Sequence, residues 1–417
     1  MFFRALGFLV ACLSSVNSNA SQVEVLHWWS SEGEQLALNE LRLELERQDI
    51  MWSDSVVPGG GGDTATSVLQ ARAIAGNPPG MAQIDGAGIK SWAKLGFLAD
   101  LDSIAKKHKW RERLPKIAVD INTYRGSFVS APINIHRVNW LWSNKAVLSR
   151  YNLTPPDSWS AFFDVAETLK SHGVTPLAVG NEPWQLGIIF EVMALGLHGT
   201  DYYRALLMDF DLDVISSVQT RTLLSTFRRV KPYTRVITTS MAWDVVMASM
   251  VSGEVAMQLQ GDWVKGELTA QGLEPGKDYL CSAAPGTSNA FIYNMDSLVL
   301  FRLRSNESEQ MVNQLAATLV SPDFQSKFNQ KKGSIPVLRD VDMSAFDSCS
   351  KAANQQFEYA GKHQSLLPSM SDSMATSLPL QEAMLDLIAL YFNDDTMTEE
   401  QAISQLIKIA RSKRFEK

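Results

Sequence analysis

The chain has 417 residues, 45% of them hydrophobic, and a net charge of -7 with no run of basic residues. That length exceeds what one compact core accommodates, so two or more domains are expected. The acidic balance argues against nucleic acid or an anionic membrane surface as partner, leaving small molecules and proteins.

The N-terminal MFFRALGFLVACLSSVNSNA carries one arginine, an apolar stretch from Ala5 to Leu13 and small polar residues ending at Ala20. It reads as a Sec signal peptide, residues 1–20, cut before Ser21. The alternative is a lipoprotein signal in which Cys12, preceded by Leu9, Val10 and Ala11, becomes the acylated anchor. No later segment reaches the ~20 continuous apolar residues that span a bilayer. The mature chain is therefore expected to be exported, soluble and periplasmic.

Val23 to Leu26 predict the first strand, and His27, Trp28 and Trp29 follow at its carboxyl end. Leucines spaced among charges from Glu34 to Glu46 predict a helix lying on a sheet. Gly59 to Gly62 invite a phosphate-loop reading, but Asp63 and Thr64 stand where Gly-Lys-Ser/Thr is required. A turn feeding a helix from Thr64 to Ala75 is the plainer expectation. GNPPGMAQID then leads into another strand. PPDSWSAFFDVAETLKSHGVTPLAVG predicts a complete helix-to-strand unit: Asp157 as N-cap, Trp159, Phe162, Phe163, Ala166 and Leu169 on one face, Gly173 as stop, Pro176 to Val179 as strand. Strands alternating with helices indicate an α/β protein with largely parallel sheets, and no flexible linker divides it.

In such folds ligands bind outside the carboxyl ends of the strands, where His27, Trp28 and Trp29 lie. A sugar ring presents apolar C–H faces and a rim of hydroxyls, so it calls for flat aromatics and polar side chains together. Among the 11 tryptophans, Trp184, Trp243 and Trp263 stand beside polar groups, whereas Trp140, Trp142 and Trp159 sit in apolar periodic contexts and read as core. Consecutive residues of an extended strand face opposite ways, so Trp28 and Trp29 cannot both face one cavity. His27, His136 and His363 lack metal-ligand spacing, and no nucleophile elbow appears; neither a metal nor another cofactor is expected. Carboxylates are plentiful, so a secreted carbohydrate hydrolase is the competing class. With Cys12 removed, Cys281 and Cys349 remain, and they form either one disulfide or two buried thiols.

HWWSSEGE, GGGGDTATSVLQARAIAGNPPG, APINIHRVNWLWSNKAVL, NEPWQ, VSGEVAMQLQGDWVKGEL, FIYNMDS, KKGSIP and FDSC closely resemble segments of the periplasmic glucose-binding proteins of bacterial ABC importers. The likeness runs from Val23 to the C-terminus with order and spacing kept. It implies a two-lobed periplasmic binding protein fold of type II, its discontinuous lobes joined by crossing strands at a hinge: residues 21–131 with 283–334, and 132–282 with 335–417. It also implies a bonded Cys281 and Cys349, a monomer, and delivery of the captured sugar to ABC permease subunits. Matched by motif, the sugar would stack on Trp28 or Trp29, with Glu34, Gln83 and Asp85 from one lobe and Trp243 and Trp263 from the other. Asp296 and Lys332 would take hydroxyls, and Asn134 and His136 either contact the sugar or support the hinge.

Two departures stand out. Ser369-Met370-Ser371-Asp372 replaces the SMAH of glucose binders, and Asp85 stands where those relatives carry lysine or histidine. A carboxylate accepts hydrogen bonds but cannot donate them. The ligand is therefore expected to be another sugar, one bearing an amino group, unless water simply fills the gap.

Overall fold

The computed structural model describes residues 21–57, 63–180, 182–236, 243–302 and 306–413. The signal peptide, Cys12 and the Gly59 to Gly62 turn lie outside the described residues.

Two five-stranded sheets organise the chain, and both follow one pattern. In the first, Ile50–Val56, Ser21–His27 and Met81–Gln83 run parallel, and Ser297–Leu300 and Ser130–Pro132 complete the sheet antiparallel. In the second, Thr234–Val236, Thr175–Val179 and Val255–Leu259 run parallel, followed by antiparallel Trp140–Asn144 and Tyr279–Ala283. Parallel neighbours need crossover connections, and helices supply them. Helix Glu32–Glu46 joins the first two strands and buries Leu38, Leu41 and Leu45, while Leu36 and Leu43 face solvent.

The unit from 157 to 179 folds with one revision. Helix Trp159–Ser171 is capped by the Ser158 hydroxyl, which accepts from the Ala161 N–H at 3.2 Å, rather than by Asp157. Both residue types cap well, and the helix begins one position later than expected. Trp159, Phe162, Phe163, Ala166 and Leu169 are all buried. Gly173 stops the helix at a φ of 76°, in the left-handed region that costs glycine little. Trp140 and Trp142 are core residues.

Two extended segments carry the chain between the sheets. One passes from Ser130–Pro132 through Asn134 to His136–Arg137 and on to Trp140–Asn144; the other passes from Phe291–Asn294 to Ser297–Leu300. They pair antiparallel on both sides of the gap, through Leu298 with Ala131 and through Asn294 with His136. A third passage lies alongside, where Ile335 bridges Ile135. Strand Phe291–Asn294 also pairs parallel with Leu366–Pro368. This pairing groups 291–294 with the C-terminal segment, and the chain passes to the first sheet through Met295 and Asp296.

Cys281, on strand Tyr279–Ala283, is bonded to Cys349 at the start of helix Ser348–Lys362, 68 residues on. Closing a loop of that size removes denatured-state entropy worth up to about 4 kcal/mol in the chain-entropy model. Cys281→Ser combined with Cys349→Ser is expected to lower unfolding free energy in urea by as much as about 4 kcal/mol; an unchanged transition would show that the bond adds nothing to stability.

Candidate functional site

The first turn of helix Glu32–Glu46 is built by its own sequence. Glu34 Oε2 accepts from the N–H groups of Ser30 at 2.9 Å and Ser31 at 3.2 Å, folding the chain back at the helix start. Its other oxygen, Oε1, accepts from Lys332 Nζ at 2.9 Å. Lys332 closes helix Pro322–Lys332 and is 3% exposed, and its ammonium lies 5.7 Å from the Trp29 ring centroid. Trp29 itself is buried against Phe328. Of the two neighbouring indoles, Trp29 thus belongs to the core beneath the cation and Trp28 lies half-buried at the cleft.

From Lys332 the polar chain continues onto the crossing strands. Asp296 accepts from Asn134 Nδ2 at 2.6 Å, Gln83 Nε2 at 3.1 Å and His136 Nε2 at 3.1 Å. His136 Nδ1 bonds to Asp262, whose other oxygen accepts from the Arg137 N–H at 2.9 Å. Glu34 and Lys332 form one buried ion pair and Asp296, His136 and Asp262 a second buried group; Lys332 and Asp296 interact electrostatically, so the five make a relay of alternating charge from the first sheet's helices to the second sheet's. Burial disfavours the His136 imidazolium, but Asp262 and then Asp296 outweigh it and raise its pKa to about 9. Burial likewise works against the Asp296 carboxylate; His136, with Lys332 and Asn134, brings it down to about 2. For Lys332 burial is outweighed by Glu34 and Asp296, and its pKa is raised.

The two lobes meet closely at both ends of the cleft. Gly33 N–H donates to Glu267 Oε1 at 2.7 Å, and a Cβ on Gly33 would stand 2.6 Å from the carbonyl carbon of Gly266. At the other end, a Cβ on Gly86 would fall 1.9 Å from the Ser373 carbonyl oxygen. Between them Trp28, Thr66, Ile84, Asp85, Trp92 and Ser373 line a narrow cleft. Asp85 begins helix Gly86–Lys94, and its buried Oδ1 has no hydrogen-bond partner. Burial first, then the charges of Asp296 and Asp372, push its carboxyl well above the usual range. Asp372 accepts from the Ser369 hydroxyl at 2.9 Å, and burial raises its pKa to about 6. Behind it Glu191 accepts from Tyr203 and the Met370 N–H, lies on the other side of the same Ser369 hydroxyl, and is raised by burial to about 7.

Trp263 stands edge-on to His136, centroids 5.4 Å apart, with Trp184 on its other side and a buried Nε1 that has no partner. Trp243 is buried at the start of helix Trp243–Val251. Among the expected residues, Glu34 and Lys332 are paired directly, Gln83, Asn134 and His136 all bond to Asp296, Lys332 acts on Asp296 electrostatically, Trp28 and Asp85 line the cleft, and Asp372 stands within electrostatic reach of Asp85. Asn134 and His136 occupy the crossing strands and the polar relay. Asp262, Glu267, Trp92 and Ser373 were not singled out from sequence. Asp262 lies one residue before Trp263 in a motif that had drawn attention, whereas Trp92 belongs to an amphipathic helix and reads as core. Among the described residues no group of three or more histidines, cysteines or acids could hold a metal ion, and no helix is long and apolar enough to cross a membrane.

The profile of the bacterial extracellular solute-binding protein family matches residues 46–294. A probable sugar-binding periplasmic protein of Brucella suis is 35% identical over 92% of this chain and 91% of its own. Another so described, from Rhizobium meliloti, is 34% identical over 93% of each. Among solved structures, the bacterial solute receptor AcbH, described as preferring β-D-galactopyranose, superposes with a TM-score of 0.77 at 17% identity, covering 95% of this chain and 99% of that one; this likeness shows the fold.

Removing the cation from the relay leaves Glu34 and Asp296 buried without it. Lys332→Met is expected to cost about 3–5 kcal/mol of unfolding free energy, and Glu34→Gln in the same chain to recover part of it; a loss below about 1 kcal/mol would mean the relay is solvated. His136 makes a second, pH-dependent test. Its folded pKa of about 9 exceeds the ordinary histidine value of about 6.5, so its contribution is complete below 6.5 and is lost as pH rises through 9. Urea stability of the wild type should fall over that window more steeply than that of His136→Gln; parallel curves would refute the charged imidazolium.

Proposed function

The chain belongs to the family of bacterial extracellular solute-binding proteins, and we propose that it is the substrate-binding component of an ABC-type sugar importer. It captures a mono- or short oligosaccharide between the lobes and delivers it to the membrane permease. The observation that carries this reading is a cleft with an indole, Trp28, on one wall and beside it Asp85, whose buried Oδ1 has no hydrogen-bond partner. An indole face suits the C–H face of a pyranose, and a carboxyl suits its rim.

The crossing strands act as the hinge, with one lobe formed by 21–131 and 297–334, and the other by 132–294 and 335–417. Asn134 and His136 hold the relay there, Glu34 and Lys332 pair at its end, and Trp243 and Trp263 form the far wall with Asp372. The chain works as a monomer in the periplasm, after loss of residues 1–20, and carries out no chemical step. Binding favours the closed arrangement by interacting with it more strongly than with the open one. Asp85 and Asp372, one from each lobe, suit a sugar bearing an amino group, whose ammonium would pair with them.

Isothermal titration with a panel of neutral and amino sugars, read alongside tryptophan fluorescence, tests the reading. At least one sugar should bind and change the emission, Trp28→Ala should weaken it by up to about tenfold, and Asp372→His should shift preference from amino to neutral sugars. Hydrolysis of aryl glycosides, or no response across the panel, would contradict it.

A further inference from the structure

We propose that this protein has a second ligand site, for a small oxyanion, in an open depression beside the disulfide. The depression is lined by Arg137, Trp140, Ser282, Ser288, Gln356 and Tyr359 and shares no residue with the cleft.

Arg137 and His136 are consecutive on a short strand, where neighbouring side chains leave opposite faces. His136 turns to the relay; Arg137 lines the depression. The Arg137 side chain is unusual in its company. The residue is 3% exposed, its Nε donates to the neutral Asn139 Oδ1 at 3.3 Å, and its Nη2 is buried without a partner. The rings of Trp140 and Phe291 lie 4.3 and 5.6 Å from its guanidinium carbon. Such contacts offset part of the cost of burying a cation, but they accept no N–H bond. Asp262 is the acid that acts on Arg137 electrostatically, and its oxygens are already taken by His136 and by the Arg137 backbone N–H. Burial lowers the guanidinium pKa to about 10, so the group is still a cation at neutral pH.

Two further donors lie in the same wall. Trp140 Nε1 and Gln356 Nε2 are both buried without a partner. A cation and three N–H groups lacking acceptors are complementary to an anion with several oxygens. A single water accepts two of those bonds and leaves the charge unmatched. Guanidinium matches carboxylate, sulfate and phosphate alike through paired N–H···O bonds, so the shared chemistry is the oxyanion. The exposed Ser288 hydroxyl at the rim gives such a ligand an entry from solvent.

Equilibrium dialysis of labelled sulfate, phosphate and acetate against the full mature chain, with chloride holding ionic strength constant, tests the site. One saturable site is expected, weakened about tenfold or more by Arg137→Gln and by Ser288→Asp. The second variant adds a negative charge at an exposed position and so serves if the first fails to fold. Preference for sulfate or phosphate assigns a tetrahedral anion, and preference for acetate a carboxylate. Absence of saturable uptake of all three in the millimolar range, or uptake unchanged in both variants, overturns the proposal.

Discussion

The buried relay from Glu34 through Lys332, Asp296 and His136 to Asp262 is the constraint on which the rest of the molecule depends. Each ion taken out of water costs several kcal/mol even after the surroundings relax, so none of the five is tolerable alone. Alternation of sign lets each neutralise the next, and supporting bonds from Ser30, Ser31, Gln83 and Asn134 occupy the remaining lone pairs. Because the members come from helices of both halves and from the crossing strands between them, the relay fixes how the two halves face each other.

That dependence couples stability to function. The glycines at Gly33 and Gly86 allow backbone of one half to approach backbone of the other more closely than a Cβ would permit. Burial raises the pKa of both Asp85 and Asp372 in this arrangement. On the proposed function, a ligand that hydrogen-bonds those carboxyls would relieve that burial cost and so favour the arrangement that holds it.

Much of this was legible in the sequence, and the limits are physical. Local signals placed the helix after the first strand, the core indoles Trp140, Trp142 and Trp159, and the helix-to-strand unit ending at Val179, because 3.6-residue and two-residue periodicities are read within a window. The N-cap moved from Asp157 to Ser158 because both residues can accept the same bond. Trp28 and Trp29 could not be told apart by composition; the direction of the strand decided that Trp29 packs on Phe328 while Trp28 lines the cleft. Lys332 and Asp296 were legible as important residues but not as partners of Glu34 and His136, since 298 and 160 residues separate those pairs. Asp262 and Glu267 were missed because an isolated acid on a helix looks like solvated surface until its neighbours are placed.

The central claim, that two halves close on a sugar held between them, is tested most directly by small-angle X-ray scattering of the mature chain with and without a binding sugar. The radius of gyration should fall on saturation, and the scattering of the saturated form should fit the closed arrangement described above. Saturable sugar binding with an unchanged scattering curve, fitted throughout by an open or a rigid molecule, would contradict the account.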